Sequence, residues 1–77
     1  MNKKIKNKQD FLDIVKELST ENQAKWENQT ATNFIEAIGA WLNDAEGYYS
    51  NSKIDIDSKE ASWQLFADAI KASRFYE

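Results

Sequence analysis

Ten aromatic side chains stand in this chain of 77 residues, and most of them recur at the spacing of one helix face. Burial by the chain itself is the ordinary explanation of such a pattern. The chain also lacks histidine, cysteine and proline. The first two absences remove the usual metal ligands, the thiol nucleophile and the side chain that transfers protons near neutral pH. The pattern therefore predicts how the chain folds and does not name a function.

The length of the chain indicates one small helical domain over residues 1–77. Its composition, 42% hydrophobic and 30% charged, is typical of a globular protein and not of a disordered one. A domain of this size buries only about 60–65% of the surface that its unfolded chain exposes. We therefore expect a stability of a few kcal/mol, with no disulfide to add to it.

Charge is distributed unevenly along the chain. Residues 1–8 carry four lysines and no acidic residue, while the rest of the chain carries six basic and thirteen acidic residues. We expect residues 1–7 to form a flexible basic tail on an acidic body. Charged residues follow this start in place of an apolar core, so the sequence predicts a cytoplasmic protein. The acidic body disfavours nucleic acid as a partner, and the uncharged stretches are too short to span a membrane.

Three helices are predicted from apolar residues that recur at intervals of three and four. The first spans residues 8–19, with Asn7 as its N-cap. The third spans residues 58–75, with Asp57 as N-cap and Glu60 completing a capping box. Apolar side chains cover more than half of the third helix, so it lies either between the other two or at an interface between copies of the chain. The first arrangement predicts an all-α fold, a compact three-helix bundle with two longer loops.

The second helix is predicted over residues 30–49. Its apolar face is a row of large and small side chains: Phe34, Ile38, Trp41, Ala45 and Tyr48. Trp41, and Trp63 in the third helix, lie at the centres of their apolar stripes, so alanine at either site is expected to cost about 3–5 kcal/mol. Gly39 lies on the opposite face, where it either admits another backbone or is simply tolerated.

The two connecting segments have weaker patterns. Residues 20–29 are polar and predict a loop with one helical turn, in which Trp26 folds back over the start of the second helix. Residues 53–57 alternate polar and apolar side chains, which is a weak strand signal. Their candidate partner is the oppositely charged stretch of residues 3–6, so a minor two-stranded ribbon is an alternative to a loop.

None of the motifs that bind metals or phosphates is complete in this chain. Asp55 and Asp57 resemble the start of a calcium loop, but Glu60 and Phe66 stand where the loop needs glycine and glutamate. Two glycines are too few for a phosphate-binding loop. Asp44 and the neighbouring acidic residues flank a solvent face, which would not separate their pKa values for acid–base catalysis. We therefore expect no cofactor, no metal and no enzymatic activity.

Several residues together resemble the pattern of a family of small bacterial proteins of unknown function. They are Trp26-Glu27-Asn28, Phe34, Ala37, Trp41, Asp44, Gly47-Tyr48-Tyr49, Trp63, Phe66-Ala67 and Tyr76-Glu77. The resemblance covers the chain from Phe11 onward and leaves out the lysine-rich start. It implies a stand-alone bacterial cytoplasmic domain, and it assigns no activity and no functional residue.

Two classes of function are compatible with these observations. The first is a non-enzymatic module that binds another, basic protein, as immunity proteins and other small inhibitors do. Its expected contact residues lie on the outer face of the second helix: Glu36, Gly39, Asn43 and Glu46. The same residues also fit the solvated side of an amphipathic helix. The second is a small-ligand sensor or accessory subunit with an aromatic pocket. That pocket would be lined by Trp26, Trp41, Tyr48 and Trp63. We expect a monomer or a weak homodimer in either case.

Overall fold

A computed structural model describes residues 4–76 and contains three α-helices. Helix α1 spans Lys8–Ser19, α2 spans Ala31–Asn51 and α3 spans Trp63–Ser73, with a short 3-10 turn at Gln23–Lys25. The predicted all-α fold with three helices is confirmed. The predicted ribbon is not formed by the described residues, in which no strand occurs.

Local capping places the starts of α1 and α2 close to the predicted positions. The Asn7 side chain accepts a hydrogen bond from the Asp10 N–H at 2.9 Å, as an N-cap does. Thr30 does the same for the Asn33 N–H at 3.1 Å. The bounds of α1 agree with the prediction, and α2 continues two residues beyond it to Asn51.

The segment after α2 closes that helix and is not a strand. The Ile54 N–H donates to the Tyr49 carbonyl at 2.9 Å, and the Lys53 N–H donates to the Ser50 carbonyl at 3.2 Å. These are the two bonds of a Schellman motif, in which the residue after the cap adopts a left-handed conformation. Lys53 fills that position with a φ of 57°, although glycine is the usual residue there. The alternating pattern of residues 53–57 therefore reflects a helix end, with Ile54 and Ile56 packed against the core.

The predicted start of the third helix is wrong. Helix α3 begins at Trp63, and its N-cap is Ser62, whose hydroxyl accepts from the Leu65 N–H at 3.0 Å. Asp57 instead accepts from the Lys59 N–H at 2.9 Å and begins a turn, in which its carbonyl accepts from the Glu60 N–H at 3.1 Å. Both Asp57 and Ser62 can cap a helix. Because Ile56 packs against the core, the chain forms a turn after it, and α3 begins only after that turn.

Helix α3 lies between the other two helices, as its wide apolar surface predicts. It packs on α1 and on α2, whereas α1 and α2 do not meet each other in residues 4–76. The core therefore has two parts. The part between α2 and α3 consists of Trp41, Ala45, Tyr49, Leu65 and Ala69. The part between α1 and α3 consists of Ile14, Leu18 and Ala67, together with Ile5 from the segment before α1.

The segment before α1 is attached to α3 at one residue. Ile5 is buried, and its N–H donates to the Gln64 side-chain oxygen at 2.7 Å. Residues 1–3 of the predicted tail lie outside the described part of the chain. The basic start of the chain is thus held against the helices at Ile5.

Two tryptophans that the sequence treats alike occupy different environments. Trp41 is 5% exposed, which confirms its central place in the core. Trp63 is 37% exposed at the first turn of α3, so its predicted central position is wrong. The helix begins five residues later than predicted, which moves Trp63 from the middle of the helix to its end.

Candidate interaction surface

The four residues predicted to contact a partner share one exposed face of α2. Glu36, Gly39, Asn43 and Glu46 follow each other at intervals of three or four, and all four are exposed. The opposite face of the same helix is buried at Ala37, Trp41, Ala45 and Tyr49. We call the exposed set the outer face of α2. The structure therefore brings the predicted residues together on a surface that a partner can reach.

The outer face of α2 is negatively charged. Helix α2 contains three acidic residues and no basic one. One of the three, Asp44, accepts a hydrogen bond from the Tyr76 hydroxyl, which raises the pKa of Tyr76. In residues 4–76 the ion pair found joins Arg74 to Glu21, so Glu36 and Glu46 have no described cationic partner.

The negative surface continues beyond the end of α2. A shallow cleft of about 390 Å³ separates the end of the helix from the segment that follows it. Its charged lining comprises Glu46, Asp55 and Asp57, with Lys59 as the basic member. Glu46 belongs both to this cleft and to the outer face, so the acidic surface runs from α2 into the segment after it.

Gly39 leaves open space on the outer face. Apart from its chain neighbours and the adjoining backbone of α2, no described atom lies within 4 Å of the Cβ that another residue would place there, and the same holds for Gly47. Close approach of another part of this chain therefore does not account for Gly39 in the described structure. The remaining explanations are a site kept open for a partner and a neutral substitution.

We expect Gly39→Ala to raise the free energy of unfolding by about 1 kcal/mol, since alanine favours helix by that amount and meets no neighbour. Gly47→Ala should stabilise α2 equally and is the matched control. Urea denaturation measures both. A loss of stability in Gly39→Ala would contradict the open environment of that position.

The four residues proposed for the alternative aromatic pocket lie in three separate clusters of ring contacts in the described structure. The Trp26 ring lies 5.7 Å from that of Phe34, and Trp41 lies at the same distance from Tyr48. Trp63 lies 5.7 Å from Phe11. The prediction that Trp26 folds back over the start of α2 is confirmed by its contact with Phe34.

A polar network around the end of α3 was not predicted from the sequence. The Asn28 side-chain amide donates to the Ser73 carbonyl at 2.9 Å and to the Tyr76 carbonyl at 2.7 Å. Arg74 donates to both carboxylate oxygens of Glu21 at 2.8 and 3.0 Å, and this hydrogen bonding lowers the pKa of Glu21. Trp26 donates to the same carboxylate at 3.1 Å. The network joins the loop after α1 to the end of α3.

These contacts give structural roles to four of the residues on which the resemblance to a family rests. Trp26, Asn28, Asp44 and Tyr76 each make a hydrogen bond to a residue at least five positions away. The residues that carry the resemblance could therefore have pointed to this network, but the sequence analysis did not assign them to it.

A second group of polar residues surrounds Asp68 on α3. The Tyr49 hydroxyl donates to one oxygen of Asp68 at 2.7 Å, and the Gln64 side chain donates to the other at 2.9 Å. Burial is the main reason that the pKa of Tyr49 lies well above its ordinary value, and the hydrogen bond to Asp68 adds to it. The helical period placed Asp68 and Gln64 on the solvent side of α3 and gave no sign of this contact.

Between residues 4 and 76, no three carboxylates lie close enough together to hold a metal ion. None of the helices described there has the length and the apolar character needed to cross a bilayer.

Comparison with known proteins identifies the family of the chain. The model of a family of unknown function, DUF7660, matches residues 7–77, and the chain belongs to this family. The resemblance inferred from the sequence is thereby confirmed. Neither the curated proteins nor the solved structures contain a match to the chain.

Proposed function

We propose that this member of the DUF7660 family is a non-enzymatic module that binds another protein, in the manner of immunity proteins and other small inhibitors. The partner is a basic protein, and it binds at the outer face of α2. The observation that carries the proposal is the pair Glu36 and Glu46, exposed on a helix that has no basic residue. Such a surface attracts a positively charged partner over distances of about 8 Å at physiological salt.

The packing of the helices and the exposure of the acidic residues support a binding function in preference to catalysis. Helix α3 packs on both α1 and α2, and the polar outer face of α2 remains at the surface. Catalysis by carboxylates requires surroundings that separate their pKa values. Glu36 and Glu46 are exposed, and the surface around them offers no such environment. The proposal therefore includes no enzymatic activity and no cofactor.

We further propose that the protein is bacterial and cytoplasmic, as the resemblance to the family implies, and that it is monomeric or weakly dimeric. Thirteen acidic residues against ten basic ones disfavour the phosphate backbone of nucleic acids as the partner. The same charge disfavours an anionic membrane surface.

Charge reversal on the outer face tests the proposal. In the double variant Glu36→Lys and Glu46→Lys, we expect the association rate with a partner isolated by pull-down to fall by about tenfold, because electrostatic steering is lost. Surface plasmon resonance at low and at physiological salt measures this rate. The wild-type rate should itself decrease as salt rises.

A matched variant separates this face from the overall charge of the protein. Asp13→Lys and Glu17→Lys change the net charge equally, at exposed positions of α1. We expect this control to lower the rate much less. An unchanged rate in the α2 variant, or equal losses in both variants with native circular dichroism, would remove the outer face of α2 as the binding site.

A further inference from the structure

A second cavity of about 390 Å³ lies where α3 meets the end of α2 and the segment after it. Ile54 and Ile56 form apolar walls, and the Tyr48 ring, which is 43% exposed, forms another. This volume is near the lower limit for ligand-binding cavities. The cavity is therefore suited to one side chain and not to a large cofactor.

The Asp68 carboxylate lies in the wall of this cavity and is held there by neutral groups. Tyr49 and Gln64 each donate one hydrogen bond to it, at 2.7 and 2.9 Å. A carboxylate accepts about four hydrogen bonds, so capacity remains on both oxygens. Asp68 makes no ion pair with a basic side chain among residues 4–76. A half-buried carboxylate without a counter-ion is stabilised when a cation enters the cavity beside it.

We propose that the cavity binds a lysine side chain of the partner protein, with its ammonium group on Asp68 and its stem between Ile54 and Ile56. A lysine stem packs along apolar walls while its charge reaches a polar group, and the Tyr48 ring can contact the cation through its face. Asp55, which also lines the cavity, adds negative charge. Arginine fits less well, because its fork needs a particular free position on each carboxylate oxygen at once and the bonds from Tyr49 and Gln64 restrict that approach, whereas an ammonium group needs only one of the remaining positions.

This inference rests on the proposed function only in taking the partner to be basic, and the lining of the cavity includes none of the four residues of the outer face of α2. Lys4 lines the cavity and carries the same charge as the proposed occupant. Removing its charge should therefore strengthen the binding of lysine. An anionic occupant would respond in the opposite direction, so Lys4→Gln reports the sign of the charge that the cavity accepts.

The experiment titrates the isotope-labelled protein with a blocked lysine, acetylated at its α-amino group and methyl-amidated at its carboxyl group, and follows amide resonances by NMR. Blocked norleucine has a similar apolar stem without the charge and is the matched ligand. We expect saturable changes at Tyr48, Ile54, Gln64 and Asp68, with roughly millimolar affinity for lysine and affinity at least about fivefold weaker for norleucine.

Four variants decide between this site and general attraction to an acidic surface. Asp68→Asn should weaken the binding of lysine by about tenfold, and Lys4→Gln should strengthen it by about twofold. Tyr48→Leu removes the ring at an exposed position and should weaken binding even if Asp68→Asn fails to fold. The double variant Glu36→Lys and Glu46→Lys should bind blocked lysine as the wild type does, which separates this site from the outer face of α2. Equal affinity for norleucine, or an equal loss in that double variant, would overturn the proposal.

Discussion

Replacing Trp41 by alanine is expected to lower the free energy of unfolding by about 3–5 kcal/mol, because the indole is 5% exposed at the centre of the α2–α3 core. Its ring lies 5.7 Å from Tyr48 and 6.0 Å from Tyr49, so the substitution also removes two aromatic contacts. A domain of this size has a stability of only a few kcal/mol. The variant should therefore be largely unfolded at 25 °C by circular dichroism.

Trp63→Ala is the matched control for this prediction. Trp63 is 37% exposed and contacts Phe11 and Phe66 at the edge of the molecule. We expect a smaller loss of about 1–2 kcal/mol, since less of the indole is removed from a packed site. Urea denaturation compares the two variants. Equal losses at the two sites would contradict the difference in burial between them.

Asn28→Asp is expected to destabilise the fold by about 3 kcal/mol at neutral pH. The Asn28 amide donates to two carbonyl oxygens at the end of α3, and a carboxylate of the same shape would face both oxygens as an acceptor. Loss of the two hydrogen bonds and repulsion between the oxygens act together. Urea denaturation at pH 7 measures the loss, and Asn28→Ala, which removes the donor without adding a charge, should lose less, about 2 kcal/mol.

The pH dependence identifies the charge as the cause of the difference between these two variants. Repulsion by the carbonyls should raise the pKa of the introduced carboxyl group in the folded chain above its unfolded value of about 3.9. Both states are protonated below the unfolded pKa, so the additional loss is absent there. It appears as the pH rises and is complete above the folded pKa. A difference between the variants that does not change from pH 3 to pH 7 would contradict this account.

The four residues of the outer face of α2 were predicted from the sequence, whereas the cavity beside Asp68 was not. Glu36 and Glu46 are exposed because the helical period places them opposite Trp41 and Ala45, and that period is a property of the sequence alone. The cavity depends on Asp68 of α3 and on Ile54 of the segment after α2, which are brought together by folding. The spacing of residues along one helix does not show which residues of another segment they will meet.

The sequence by itself determined the number of helices, the burial of Trp41 and Ala45 and the start of α1. These features depend on residues at most four positions apart, such as Asn7 and Asp10 or Trp41 and Ala45. Only the tertiary structure decided that α3 begins at Trp63, that residues 53–57 close α2 and that Asn28 holds the end of α3. In each of these cases several local arrangements have similar energies, and contacts between distant segments determine which of them forms.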